Sequence, residues 1–251
     1  MRPIITLLTD FGTADGYVAE MKGVLLTAHR DLSIVDITHD IAAQDVDGAR
    51  LAVARYWRRY PAGTVHLVVV DPGVGTDRAA IAVASDDRFL VGPDSGVLSP
   101  ALLAREAAVV RLPIPQQASP TFHGRDVFAP AAAALATGVS LDSLGERLAD
   151  PTVRRTPEPH RASDGSIIGE VIHVDRFGNA VTNLIATRGG VVELAETTLP
   201  LLRTYGDAGP GAYLAVIGSS GLIEIARRDG HAASGLGLFR GTRVVLRSAT
   251  V

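Results

Sequence analysis

Three acids in this chain stand where a strand should end and a loop begin: Asp10, Asp71 and Asp94. In open α/β sheets, ligands bind beyond the carboxyl ends of the strands, so acids there are candidates for contact with a ligand. Asp71 has the richest surroundings. The apolar run Leu67 to Val70 reads as a buried strand, Pro72, Gly73 and Gly75 then force a tight turn, and Arg78 follows a few residues on. An acid beside an arginine can orient a nucleophile or a polar ligand. It equally suits a solvated turn with a surface ion pair. His123, in the polar stretch Phe122-His123-Gly124-Arg125-Asp126 ahead of a helix, can move a proton near neutral pH or simply be solvated. Asp175-Arg176-Phe177-Gly178-Asn179 joins an acid, an aromatic ring and an amide, and Ser219-Ser220-Gly221 closes another strand. As a set these residues suit a polar, cation-bearing nucleoside. The acids would take hydroxyls and an ammonium, Phe177 and Tyr205 would stack, and Asn179 would meet a base edge.

Other chemistries are poorly served. The absence of cysteine removes disulfides, thiolate nucleophiles and Cys-ligated metals. Lys22 is the sole lysine, and its neighbours fit no phosphate-loop or Schiff-base motif. The seven histidines are scattered, with no His-x-x-x-His pair, so no metal site is expected. Asp10-Phe11-Gly12 matches a kinase triplet, but no His-Arg-Asp loop precedes it. Gly235-Leu236-Gly237 lacks the context of a dinucleotide fingerprint. A net charge of −3, with no basic run longer than two residues, argues against a nucleic-acid surface. No apolar run approaches a membrane span, and the opening MRPIITLLTDFG reads as a first strand, so a soluble, cytoplasmic protein is expected.

The elements that must position these residues follow an alternating pattern at first. Strands at 4–8, 32–37 and 67–70 are separated by helices at 18–28 and 45–59. A hairpin at 80–91 turned at Ser85-Asp86-Asp87, a helix at 98–106 and an Ala-rich helix at 127–137 ended by Gly138 complete the half. This predicts an α/β N-terminal domain over residues 1–152, a central sheet flanked by helices. Residues 153–165, rich in proline and charge, read as a linker. Short strands punctuated by glycine and proline follow at 167–174, 180–183, 191–194, 213–217, 223–226 and 243–247. They predict a small all-β, barrel-like C-terminal domain over 166–251.

TDFGTADGYVAEMKGV, VVDPGVGTDR, GPDSGVL, TFHGRDVFAPAAA, DRFGNAVTN and SSGLIEIA together resemble the S-adenosylmethionine hydroxide adenosyltransferases, or SAM hydrolases, relatives of the fluorinase and chlorinase. The motifs keep the family's order across nearly the whole chain. The resemblance implies hydrolysis of S-adenosyl-L-methionine to adenosine and L-methionine by attack of water or hydroxide at the ribose C5′, with no cofactor. It implies a homotrimer whose sites lie between one subunit's N-terminal domain and a neighbour's C-terminal domain. It assigns the family's Asp–Arg–His set to Asp71, Arg78 and His123, and the ribose-binding acid to Asp10. Asp15 and Asp175 would approach the methionine amino group and Ser219 its carboxylate; Phe177, Asn179, Tyr205 and Arg227 would frame the adenine. The halogenases carry tyrosine and serine at positions 123 and 124 and a long insertion after the strand at 80–84, so the hydrolase side is favoured. The alternatives are a SAM- or adenosine-binding module without turnover and, less favoured, a SAM-dependent halogenase. Ser220 replaces an arginine of the fluorinase, and Gln44 stands where relatives carry a bulky aromatic residue near the reacting centre.

Overall fold

The computed structural model describes residues 2–185, 189–195 and 197–248. The chain divides into two units, Met1–Arg155 and Thr156–Val251. In the first, strands β1 (Ile4–Thr9), β2 (Ser33–Thr38), β3 (Val65–Val69), β4 (Ala80–Ser85), β5 (Arg88–Pro93), β6 (Ala108–Leu112) and β7 (Glu146–Arg147) form one sheet in the order β2-β1-β3-β5-β4-β6-β7. The first four positions of that order run parallel, and β4, β6 and β7 add antiparallel pairings.

The strand pattern explains why both faces are covered. Side chains of a strand alternate between faces, and β3 is apolar at nearly every position. Val65, Leu67 and Val69 join one core with Met21 and Leu25 of α1 (Tyr17–Ala28). Val68 and Val70 join a second core with Val53 of α2 (Val46–Tyr56), Trp57, and Leu98 and Ala101 beside and within α3 (Ser99–Leu102). A sheet buried on both faces needs such continuous apolar strands. Each fully buried aliphatic side chain contributes about 1.5–3 kcal/mol.

Three local outcomes differ from the sequence pattern. The helix expected over 98–106 closes after one turn at Leu102, and Glu106 then takes a positive φ of 65°. The Ala-rich helix opens with a wide π turn, Gly124–Phe128, before α4 (Ala129–Ala136). Pro130 has no N–H to offer the Asp126 carbonyl four residues back, and Ala129 N–H reaches Gly124 instead. Between β4 and β5 the chain turns on Asp86 and Asp87 alone, both at positive φ (47° and 57°), as the tightest right-twisted hairpins require.

The second unit contains β8 (His160–Arg161), β9 (Ile167–Val174), β10 (Ala180–Thr182), β11 (Gly190–Glu193), β12 (Thr198–Leu202), β13 (Tyr213–Ile217), β14 (Ile223–Arg227) and β15 (Arg243–Ser248). Seven of these, in the order β10-β14-β13-β12-β11-β15-β9, close on themselves through a β9–β10 pairing, which makes a barrel; β8 is attached to β9. The stretch expected to be a linker, 153–165, therefore contains a paired strand. Val171, Leu184, Val192, Ala215, Ile225 and Leu246 fill the interior. A five-residue helix, α5 (Ala232–Leu236), and a 3-10 turn at Tyr205–Asp207 are added to the strands of this unit. β12, which had no counterpart in the sequence reading, carries Pro200 and pairs parallel to β13.

Candidate active site

β1 and β3 are parallel neighbours with Thr9 opposite Val69, so Asp10 and Asp71 emerge side by side at the C-terminal end of the sheet. The turn after β3 doubles back because its glycines permit it. Gly75 takes a φ of 76°, and a Cβ there would lie 2.6 Å from the Pro120 carbonyl oxygen. This close approach seats the turn against the segment that delivers His123. Thr76 closes the turn through hydrogen bonds from its N–H and hydroxyl to the Gly73 carbonyl (3.2 and 2.7 Å).

Arg78 is thereby folded onto Asp71. Its Nε donates to Asp71 Oδ1 at 2.9 Å and its Nη2 donates to Oδ2. The same Nη2 lies 3.0 Å from His123 Nδ1, and the guanidinium rests over the Phe128 ring. The Asp71 and Arg78 side chains are only 5% and 10% exposed, and His123 is buried, so solvent screens this group little. Burial first, and the Arg78 charge second, lower the His123 pKa against the pull of Asp71 and Asp126. The imidazole is therefore neutral near pH 7. Arg78 Nη1 is buried with no hydrogen-bond partner among the described residues.

Two further sets of contacts lie in the segments around this group. Asp126 accepts the Ser119 N–H (2.8 Å) and both Nε and Nη2 of Arg125, whose Nη1 reaches Glu20 of α1 at 2.7 Å. Phe11, Tyr17 and Phe122 meet edge to face, with centroids 5.4–5.9 Å apart, beside Gly124. Asp10 Oδ2 accepts the Gln44 N–H at 2.8 Å, and Asp15 is exposed on the same loop. Among the described residues, no three His, Asp or Glu side chains gather as a metal-binding group.

In the second unit, Asp175 shapes its own turn. It accepts the N–H groups of Phe177 and Asn179 (both 2.9 Å) and the Asn179 side-chain amide (3.0 Å). Gly178, at φ 81°, lies under the His231 ring, where any Cβ would collide, and its carbonyl accepts the Ala233 N–H of α5. The turn leaves Phe177 76% exposed. The Tyr205 hydroxyl donates to buried Glu224 at 3.0 Å, and that acceptor pushes the phenol pKa up to about 12 together with burial, the larger cause. Ser219 is exposed on the turn after β13. Arg227 packs over Tyr213 and donates to the Gly211 carbonyl.

The structure thus gathers Asp71, Arg78 and His123 into one bonded group, with Asp10 at the neighbouring strand end. It gathers Asp175, Phe177 and Asn179 into one turn, while Tyr205 opens a short 3-10 turn, Ser219 lies on the turn after β13 and Arg227 ends β14. Residues that sequence reasoning passed over are Glu224, Asp126 and His39. The only available signal for His39 was its position just past the end of β2.

Comparison with known proteins identifies the family and matches both units of the fold. The family model described as SAM hydroxide adenosyltransferase N-terminal domain matches residues 5–145, and the C-terminal domain model of the same name matches 169–245. A Thermus thermophilus protein named (R)-S-adenosyl-L-methionine hydrolase is 42% identical over 259 aligned positions, covering 98% of this chain and 100% of its own. A Nocardia brasiliensis protein named fluorinase is 31% identical over 291 positions, covering 98% and 97%. A solved structure of an uncharacterized conserved protein from Thermotoga maritima superposes with a TM-score of 0.87 at 33% identity, covering 97% and 99%.

Proposed function

Because the chain belongs to the SAM hydroxide adenosyltransferase family, we infer that it is an enzyme that hydrolyses S-adenosyl-L-methionine. We propose that water oxygen attacks the ribose C5′ as the C5′–S bond breaks. The sulfur takes the electron pair and leaves as the neutral thioether of L-methionine. The attacking oxygen gives up its proton to solvent and becomes the 5′-hydroxyl of adenosine. No metal or cofactor enters this scheme, since the leaving sulfur needs no acid. By analogy with the name of the Thermus relative, the (R) sulfonium is the diastereomer consumed.

The observation that carries the reading is the double grip of Arg78 on Asp71 and His123. A guanidinium has no lone pair to accept with, so His123 Nδ1 must be the acceptor, and the neutral ring carries its hydrogen on Nε2. Both Asp71 oxygens are engaged by Arg78 as well. The group then offers donors, His123 Nε2–H and Arg78 Nη1, rather than a free base. It holds the nucleophile's oxygen in line and favours its hydroxide character. Positioning of this kind lowers a barrier by up to about 7–11 kcal/mol. In the same proposal Asp10 binds the ribose hydroxyls. Asp15 and Asp175 receive the ammonium, Ser219 the carboxylate, and Phe177, Asn179, Tyr205 and Arg227 frame the adenine. A homotrimer, with each site completed by a neighbouring subunit, belongs to the same proposal.

Halogenation is disfavoured by the hairpin turn at Asp86-Asp87, which leaves no insertion there. The fluorinase alignment needs 291 positions for a 251-residue chain, so at least 40 are gaps in this chain; the hydrolase alignment, at 259, needs at least 8. Incubation with S-adenosyl-L-methionine in 18O-labelled water tests the reading. One labelled oxygen in the adenosine 5′-hydroxyl is expected. Adenosine with unlabelled oxygen, or no adenosine above background, refutes it.

A further inference from the structure

His39 is buried beside the proposed ribose-binding acid and takes no part in the scheme above. We propose that His39 is a positioning residue for Asp10: it pins the first loop on both sides of that carboxylate. The inference rests on the reading of Asp10 as the ribose-binding acid.

The contacts are specific. His39 Nδ1 lies 2.9 Å from Thr9 Oγ1, at the last residue of β1, and that hydroxyl accepts the Phe11 N–H at 3.3 Å. The His39 backbone carbonyl accepts the Gly12 N–H at 2.8 Å. One residue therefore grips the loop before and after Asp10. On the far side, the Gln44 N–H holds Asp10 Oδ2, and Gln44 adopts a φ of 63°, a conformation that L side chains populate at a cost. With Oδ2 so held, Oδ1 keeps its lone pairs for a ligand hydroxyl.

His39 is itself fixed from behind. Its Nε2 lies 3.1 Å from Asp36 Oδ1, close but not aligned as a hydrogen bond, and Asp36 Oδ2 receives Lys22 Nζ at 2.6 Å. Burial tends to raise the Asp36 pKa, but Lys22 and His39 outweigh it and keep the carboxylate ionised. The chain's one lysine thus anchors a series that runs from α1 through β2 to the loop carrying Asp10.

The test compares Asp10→Ala, His39→Ala, His39→Asn and the double variant Asp10→Ala/His39→Ala. Calorimetry reads binding of adenosine against 2′-deoxyadenosine, and steady-state kinetics read KM and kcat. The wild type is expected to favour adenosine by about tenfold, the worth of one hydrogen bond to a charged group. His39→Ala should bring that preference near unity and raise KM about tenfold, with kcat within about threefold. Asn, whose amide can occupy the Nδ1 position, should restore most of it. In the Asp10→Ala background, His39→Ala should change the preference no further. Should His39→Ala fail to fold, Thr9→Val severs the same contact and carries the same expectation. If Asp10→Ala loses the preference and the His39 and Thr9 variants keep it, the positioning role is wrong and the ribose reading stands. If Asp10→Ala itself keeps the preference, the ribose reading has failed, and this inference with it.

Discussion

Two buried histidines with lowered pKa values stand at opposite ends of β3, and only one of them belongs to the proposed site. His66 enters near the start of the strand, bonds Thr6 Oγ1 through Nδ1 at 2.8 Å, and is ringed by Tyr56 and Tyr60 at 5.4 and 5.7 Å. His123 meets the residues beyond the strand's other end and bonds Arg78. Burial is the largest cause of both shifts. Perturbation alone therefore does not mark function. What distinguishes His123 is a charged partner shared with a buried acid, and a place beyond the carboxyl ends of parallel strands.

The largest expected effect breaks the pair at its functional end. Arg78→Met should lower kcat by about 10²–10³, as loss of a preorganised donor does. It also leaves Asp71 buried without its partner, which costs about 3 kcal/mol or more in stability. Adding Asp71→Asn should recover much of that stability and none of the rate. In Arg78→Met alone the His123 pKa should rise, because the guanidinium charge no longer adds to burial against the pull of Asp71 and Asp126. Single-turnover kinetics, thermal melts and imidazole NMR titration read the three consequences separately. A variant that turns over at the wild-type rate would break the comparison.

The next effect lies at the other end and touches stability alone. Burial, helped by the charge of Arg88 and opposed by the Trp57 backbone, lowers the His66 pKa to about 4 from the ordinary 6.5. Between those values the unfolded chain binds the proton and the folded chain resists it. Stability is therefore full above about pH 6.5 and is lost as pH falls towards 4, by about 3 kcal/mol in all. His66→Gln should flatten that part of the stability profile in denaturant titrations and leave the pH dependence of kcat unchanged.

The turn glycines at the two ends of β3 sharpen the contrast further. Gly63 sits before the strand at φ 80° with open space around its Cβ position, whereas Gly75 sits after it at φ 76° against the Pro120 carbonyl. Gly63→Ala should cost about 1 kcal/mol, the strain of a left-handed alanine. Gly75→Ala should cost about 2–3 kcal/mol and also slow turnover, since the turn must move off the segment carrying His123. Equal losses from the two variants, with equal rates, would show that the turn does not position the histidine.

This contrast also separates what the sequence reveals from what it conceals. Asp10 and Asp71 were legible because a short apolar run ending in an acid is a local pattern. Arg78 was legible because Gly73 and Gly75 announce a turn tight enough to bring it back. His123 had no local signal tying it to either and joined them only through the family likeness. The Gln44 N–H grip on Asp10 and the His39 clamp were invisible, since they depend on register between β1 and β2 and on backbone groups that every residue carries. The halting of α3 and the π turn before α4 were hidden for a related reason. Ser99-Pro100 and Ala129-Pro130 fit a helix start, and only tertiary packing decides how far the helix runs.

The smallest effect is the finest test, because β1 carries the same chemical pair twice. Thr6 bonds His66 and Thr9 bonds His39, three positions further along one strand, through the same hydroxyl-to-Nδ1 contact at 2.8 and 2.9 Å. Valine in place of either threonine keeps the branched shape and removes the hydroxyl's bond to its histidine, and at Thr9 the Phe11 N–H bond as well, so each should cost about 1–2 kcal/mol in stability. Their kinetics should part. Thr6→Val lies in the middle of the strand, faces only the Tyr56–Tyr60 cluster through His66, and should leave KM and kcat unchanged. Thr9→Val releases the Phe11 N–H and the His39 ring together, loosens the loop carrying Asp10, and should raise KM while kcat holds. If both variants raised KM alike, the two ends of the sheet would be energetically one unit. The distinction between a scaffold histidine and a site histidine would then have to be drawn on grounds other than their place along the strands.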